Sequence, residues 1–371
     1  MANTFVTLKT IARQALPRLI ENLVFPNLVY RDFSEDFHDL GDTIRVRRPA
    51  ILEAVDFNAA SGVNYQDLVE DAVEVKLDHL ATVDACASAI ETATCIDDLN
   101  RAFIGPAAAA LAEKINRDGL ALYADIPTAV GVAGTTPSAL SDLAAARHAL
   151  NLNKAPNYGR AAVWDPEADM AFAQIPAIVN AEKSGSTDAL REGSIGRVFG
   201  MDHYMSQAVK KHETGVTAAT AVKVDGAVSA GATTLGLKGT SLTGKLVKGD
   251  LLRIGGAHYV VTEDSASASS NAIAGVKVYP ALPALEDETA VTLVGDHVAN
   301  LAFHPMAFAY VTRPLLNPDG QGVASYVTSY NGISLRVTKG YDQKYKRSIY
   351  SMDVLYGFKT VYPELAVRVL G

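Results

Sequence analysis

A glycine–lysine run, GTSLTGKL at residues 239–246, is the stretch that comes nearest to a phosphate-binding loop. Such a loop needs a Ser or Thr directly after the lysine to hold Mg²⁺, and a helix N-terminus whose free amides face the phosphates. Gly239, Gly244 and Lys245 are present, but the run is one residue short, Leu246 takes the metal-binding position, and VKGDLLRI beyond it reads as a turn into a strand. Nucleotide binding is not expected. The eight histidines are scattered, no His-Glu-x-x-His run occurs, and His203 and His212 fall on a segment that reads partly as strand. No Gly-x-Ser-x-Gly elbow is present to present a nucleophilic serine. Cys86 and Cys95 are the only cysteines, too few for a disulfide framework and without zinc-ligand spacing, so both read as small buried hydrophobes in a reducing cytoplasm. The chain is expected not to be an enzyme, and to hold neither cofactor nor metal.

Two other groups of residues could do non-covalent work. Arg45, Arg47 and Arg48 lie on a period-two segment, and Asp67, Glu70, Asp71 and Glu74 approach a second one. They either pair across their own strands on a solvated arm, at about 0.2–1 kcal/mol each, or set the register of docking on a neighbour. The other group is apolar: Phe5, Leu8, Ala12, Leu16, Leu19 and Leu23 recur at three- and four-residue spacing, an amphipathic helical stripe that Pro17 is placed to kink. A terminal stripe of this kind must find an apolar partner, and a neighbouring subunit or a scaffold helix is the natural candidate.

These residues need elements to carry them. GDTIRVRRP and VEDAVEVKLDHLATV alternate apolar and polar residues and predict a long antiparallel hairpin, joined by a polar stretch at about 50–72 that is longer than a compact domain normally uses. Pro106 opens a long helix with Ala108, Leu111, Ile115, Leu122 and Ile126 on one stripe, and with Glu113–Arg117 and Lys114–Asp118 pairs outside it. Thr136 and Asp165 each precede a proline, which places helix starts at about 137–150 and 166–181, the second after a short strand at 161–163. At about 215 the composition shifts to Ala, Gly, Ser, Thr and Val, with short strands near 233–237, 250–254, 258–262, 275–279 and 290–294. The mixed pattern then resumes and ends in strands at 333–338, 347–355, where Tyr350, Met352 and Val354 share a face, and 365–370. The small all-β unit therefore reads as an insertion into another domain. Its only aromatics are Tyr259 and Tyr279, fewer than a ligand-binding platform concentrates, which disfavours a soluble ligand-binding or enzyme domain.

Composition sets the outer limits. At 371 residues, 49% hydrophobic and 20% charged, the chain can build two or three cores. No stretch of about 18 apolar residues could span a bilayer, and charged residues interrupt the N-terminal apolar run, so neither membrane insertion nor export is expected. The net charge of −8 lacks the basic footprint of a tight nucleic-acid binder.

The order of elements, and the stretches LPRLIENLVFPNLVYRDF, IGPAAAALAEKINRDGLALY, GSIGRVFGMDHYMSQAV, LVKGDLLRIGGAHYVV, NLAFHPMAFAYVTRPL and DVLYGFKTVYPELAVRVL, resemble the major capsid (coat) proteins of tailed bacteriophages over almost the whole chain. Within that family they are similar to the subfamily with an inserted β-domain, the short-tailed Salmonella-phage type. The resemblance implies an α+β fold, the tailed-phage and herpesvirus-floor capsid fold. Its parts would be an N-terminal helical arm (1–35), an extended hairpin (36–82), a peripheral domain with a spine helix (83–136), an axial domain (137–214 and 299–332), the inserted β-domain (215–298) and C-terminal strands of the peripheral domain (333–371). Gly249 and Asp250 would open a strand of the insertion, Gly357 would mark a bend in the C-terminal sheet and Pro363 would start its last strand. The implied function is a virion shell of hexamers and pentamers, assembled in the host bacterial cytoplasm around double-stranded DNA that an acidic chain contacts only weakly. A shell of the encapsulin type, enclosing enzymes, is the alternative. Some relatives carry an internal scaffold ahead of the arm; here the arm starts at residue 1, and a separate scaffolding protein is expected. A portal protein and decoration proteins complete the implied partners.

Overall fold

The computed structural model describes residues 8–31, 43–48, 71–88, 104–180, 185, 188–317, 323–330 and 333–371. Its contacts divide the chain into two compact units, the first from Met1–Arg18, Arg31–Ala108 and Ala309–Val361, the second from Leu19–Tyr30, Ala109–Phe308 and Tyr362–Gly371.

The first unit is built on one five-stranded sheet. The 14-residue strand Arg347–Thr360 is its axis, with Ile333–Asp342, Phe308–Arg313 and His79–Ser88 all paired to it and Ala324–Tyr330 outermost beyond Ile333–Asp342. Alternation along the axis buries Tyr350, Met352, Val354 and Tyr356, and Tyr310, Tyr356 and Phe358 close the core with ring centroids 4.7–6.3 Å apart. Period two also decides a cysteine. Ala81 faces inward, so Cys86, five positions on, falls on the outer face and is exposed rather than buried. Cys95 lies outside the described residues. A separate antiparallel pair, Thr43–Arg48 with Asp71–Lys76, forms the described part of the hairpin. Gly357 is there for close approach rather than for a bend: a Cβ would stand 2.0 Å from the Lys76 carbonyl oxygen.

The second unit has two sheets. One runs in the order Ala129–Gly131, Ala366–Leu370, His297–Phe303, Arg160–Trp164, Met201–Met205, Arg197–Val198, with Lys211–His212 paired to His297–Phe303. Leu143, Leu150, Trp164, Phe172, Met201 and Val367 form the core on its helix-covered side. The other sheet is antiparallel and six-stranded, in the order Val291–Leu293, Leu251–Ile254, Ala257–Val261, Ala272–Tyr279, Thr234–Gly244, Val216–Val224, around a core that includes Leu237, Leu252, Val261 and Val276. The run GTSLTGKL begins within a strand of this sheet, which removes any phosphate-cradling loop from Gly239 to Gly244.

Four expectations shift. The strand Ala366–Leu370 does not extend the sheet of Ile333–Asp342 and Arg347–Thr360 but joins the second unit, where it is buried along its whole length. Its run AVRVL is apolar at four of five positions, which suits a central strand covered on both faces and not a half-exposed one. Segment 299–332 likewise divides, since Phe308–Arg313 and Ala324–Tyr330 pair in the first unit's sheet. The helix expected at 137 begins at Leu140, because the Asp142 carboxylate accepts from the Ser138 and Ala139 amides at 3.0 Å and fixes the turn there. Asp165 and Pro166 do start a helix, with Asp165 Oδ2 accepting from the Glu167 amide, but it ends at Ala173 ahead of Pro176.

Candidate functional site

The charged hairpin residues meet in register. Arg45 stands opposite Glu74, Arg48 opposite Asp71 and Arg47 opposite Ala72, so two of the three arginines have an acidic partner position on the paired strand. Asp67 and Glu70 lie outside the described residues. Between these positions, Ile44 opposes Val75, which is buried, and Val46 opposes Val73.

The apolar stripe is carried by the helix Leu8–Asn22, which runs through Pro17. Phe5 lies outside the described residues, as does the side chain of Leu8. Leu16, Leu19 and Leu23 are buried by the chain itself, so at these three positions the stripe does not depend on an external apolar partner. One buried amide explains how this end of the arm is held. Asn116, inside the spine helix Gly105–Leu120, accepts from the Val24 and Phe25 amides at 3.1 and 3.2 Å and donates to the Asn22 carbonyl at 3.0 Å. It satisfies backbone groups that a helix end leaves open. Phe25 then sits with its ring 5.4 Å from both Phe303 and Phe308.

The densest polar chemistry in the second unit is a seam that no local pattern announces. Asp250 pairs with His212 Nε2 at 2.8 Å, and the Tyr123 hydroxyl is 3.0 Å from His212 Nδ1. The His297 ring lies 5.2 Å from that of His212, and the Arg368 guanidinium lies 5.1 Å from the Tyr123 ring centre. Arg368 also donates to the Ile126 and Gly249 carbonyls at 3.1 and 2.8 Å. Tyrosine, histidine and aspartate in a chain are the parts of a proton relay, but here all of these groups are buried, Arg368 completely. What the arrangement can do is fasten the six-stranded sheet. Gly249 and Asp250 lead into the strand Leu251–Ile254, while Tyr123, His212, His297 and Arg368 belong to the segments around the other sheet. Gly249 has φ +99°, and a Cβ there would come within 3.0–3.3 Å of Ala124 and His212. Burial lowers the His297 pKa to about 4 and that of Arg368 to about 10, the fall for the arginine being opposed by Tyr123, Asp125 and Asp250. Among the described residues no group of three or more His, Cys, Asp or Glu side chains is placed to hold a metal ion.

Two solved structures share this architecture. A structure from Mycobacterium phage Che8 matches with a TM-score of 0.53 at 19% identity, over 94% of this chain and 90% of that one. The capsid structure of the Cyanophage P-SCSP1u matches with a TM-score of 0.52 at 12% identity, over 94% and 88%. The chain has the phage capsid fold. No family model and no curated protein matches the sequence. The hairpin strands Thr43–Arg48 and Asp71–Lys76 and the helix Gly105–Leu120 lie where the sequence pattern placed them, whereas the seam was missed. Its hydrogen-bonded partners are up to 242 positions apart in the chain, as for Arg368 and Ile126. One signal was available: Arg368 is a lone charge in an otherwise apolar strand, and a buried charge requires partners.

Proposed function

We propose that the chain is a major capsid protein, a shell subunit that self-assembles into hexamers and pentamers of an icosahedral phage head around double-stranded DNA. The observation that carries this reading is a capsid-fold match that extends over 94% of the chain, rather than over one domain of it. The six-stranded sheet of Val216–Leu293 supports the subfamily with an inserted β-domain, and its seam gives that insertion a fixed seat. Arg45 opposite Glu74 and Arg48 opposite Asp71 supply the hairpin with a charge pattern suited to docking on the next subunit. A separate scaffolding protein, a portal protein and decoration proteins are the further partners of this reading, and catalysis has no part in it.

The test is negative-stain microscopy and sedimentation of the purified protein, with and without co-expressed neighbouring phage genes. Closed shells that take up DNA are expected. Shells that enclose an enzyme would instead identify a nanocompartment, and the absence of closed particles under both conditions would refute the shell reading.

A further inference from the structure

The tight turn between the strands Ile333–Asp342 and Arg347–Thr360 is cationic in a chain whose net charge is −8. Residues 339–347, KGYDQKYKR, hold Lys339, Lys344, Lys346 and Arg347 against the single carboxylate of Asp342, four charges less one, or +3. That carboxylate is engaged in shaping the turn. Asp342 Oδ1 accepts from the Lys344 and Tyr345 amides at 2.9 and 3.2 Å, and Oδ2 lies 3.5 Å from Arg347 Nε. Among the described residues, the strands on either side of this hairpin bring no counter-charge in register, because Ser88 stands opposite Arg347, Ala87 opposite Ser348 and Ala324 opposite Lys339. The cations are also ordered by rings. Arg347 lies 4.8 Å and Lys344 5.3 Å from the Tyr345 ring centre, and Lys339 lies 5.3 Å from that of Tyr350. Tyr341 and Tyr345 are 53% and 60% exposed, and a Cβ on Gly340 would meet nothing within 4 Å, so the tip is open to a partner.

We propose that this turn is a nucleic-acid contact: a preorganised cationic fork that engages the phosphodiester backbone without reading sequence. Fixed cations with interleaved tyrosines, of which Arg347 alone has an acidic partner among the described residues, suit a polyanion, and the rest of the chain, at −11 by difference (−8 less +3), suits a contact confined to one point. The choice of a duplex as the natural ligand rests on the shell reading above; the cationic fork itself does not.

Binding is measured by fluorescence anisotropy on the full, unassembled chain, with a random-sequence duplex and a single strand of equal length. Four phosphate contacts predict a salt slope near −0.9 per contact, which weakens duplex binding by about 100-fold between 50 and 200 mM salt. Lys344→Gln with Lys346→Gln should lower the slope by about 2, whereas Lys245→Gln with Lys277→Gln, an equal charge change elsewhere, should leave it unchanged. Equal loss in both double variants would reduce the effect to net charge and overturn the proposal, as would an absence of salt-dependent binding. Tighter binding of the single strand would keep the fork but assign it stacking on Tyr341 and Tyr345. If the tip variants bind DNA normally and lose only particle yield, the turn is a contact between copies and the proposal fails while the shell reading stands.

Discussion

Asp250→Ala is the sharpest probe of the seam. The carboxyl group is 1% exposed, pairs with His212 Nε2 at 2.8 Å through Oδ1, and accepts the Val247 amide at 2.8 Å through Oδ2. Truncation orphans both partners and removes one of the negative charges that support the fully buried Arg368. Removing one member of a buried charge network costs about 3–5 kcal/mol, against about 0.2–1 kcal/mol for an exposed pair such as Lys223–Glu288. In a unit of this size each kcal/mol moves the thermal midpoint by about 2–4 °C, so a fall of roughly 6–20 °C is expected. Asp250→Asn keeps an acceptor for Val247 and should fall less. Urea and thermal unfolding of the unassembled chain give the magnitude, and hydrogen exchange at Leu251–Ile254 and Ala257–Val261 gives the location. A loss below about 1 kcal/mol with unchanged exchange in those strands would show that the seam does not fasten the six-stranded sheet.

Acid should weaken the same unit in a definite window. His297 is held at about 4 by burial, so between pH 6.5 and 4 the unfolded chain takes up a proton that the fold refuses, and stability falls with pH by at most about 3 kcal/mol. His203, His258 and His304, also lowered by burial, act in the same direction, whereas the depressed carboxylates of Asp264, Asp287, Glu288 and Asp296 lose their contribution only below about pH 4. A urea midpoint that stays constant from pH 7 to 5 would contradict this. Reversal of Arg45 and Arg47 to Glu should change monomer stability by no more than about 1 kcal/mol, yet sharply reduce particle yield in sedimentation, because a closed shell repeats each contact; normal shells would mean that the arginines are merely solvated, and early unfolding that they act within the fold. Gly357→Ala should destabilise the first unit by about 1–3 kcal/mol, since its Cβ overlaps the Lys76 carbonyl, and an unchanged thermal midpoint would show that the two strands can separate freely. Residues 215–298, expressed alone, should retain dispersed amide shifts, because the sheet has its own core of residues such as Leu237, Leu252 and Val276; collapsed shifts would place the boundary elsewhere.

Local chemistry determined much of this protein. The hairpin strands follow from alternation in TIRVRR and DAVEVK, the helix of Pro166–Ala173 from Asp165 and Pro166, and most strands of the six-stranded sheet from turn residues spaced between short β-branched runs. All of these signals act within a few residues, where backbone sterics and one side chain decide the outcome. Tertiary structure alone decided that Ala366–Leu370 crosses to the second unit's sheet, that Gly357 makes room for another strand, that Leu16, Leu19 and Leu23 are covered by the chain itself, and that Tyr123, His212, Asp250, His297 and Arg368 converge. None of these has a spacing, because each is fixed by what packs opposite. A buried charge or a missing Cβ states that a partner exists, and only the folded chain says which residue, far away in sequence, supplies it.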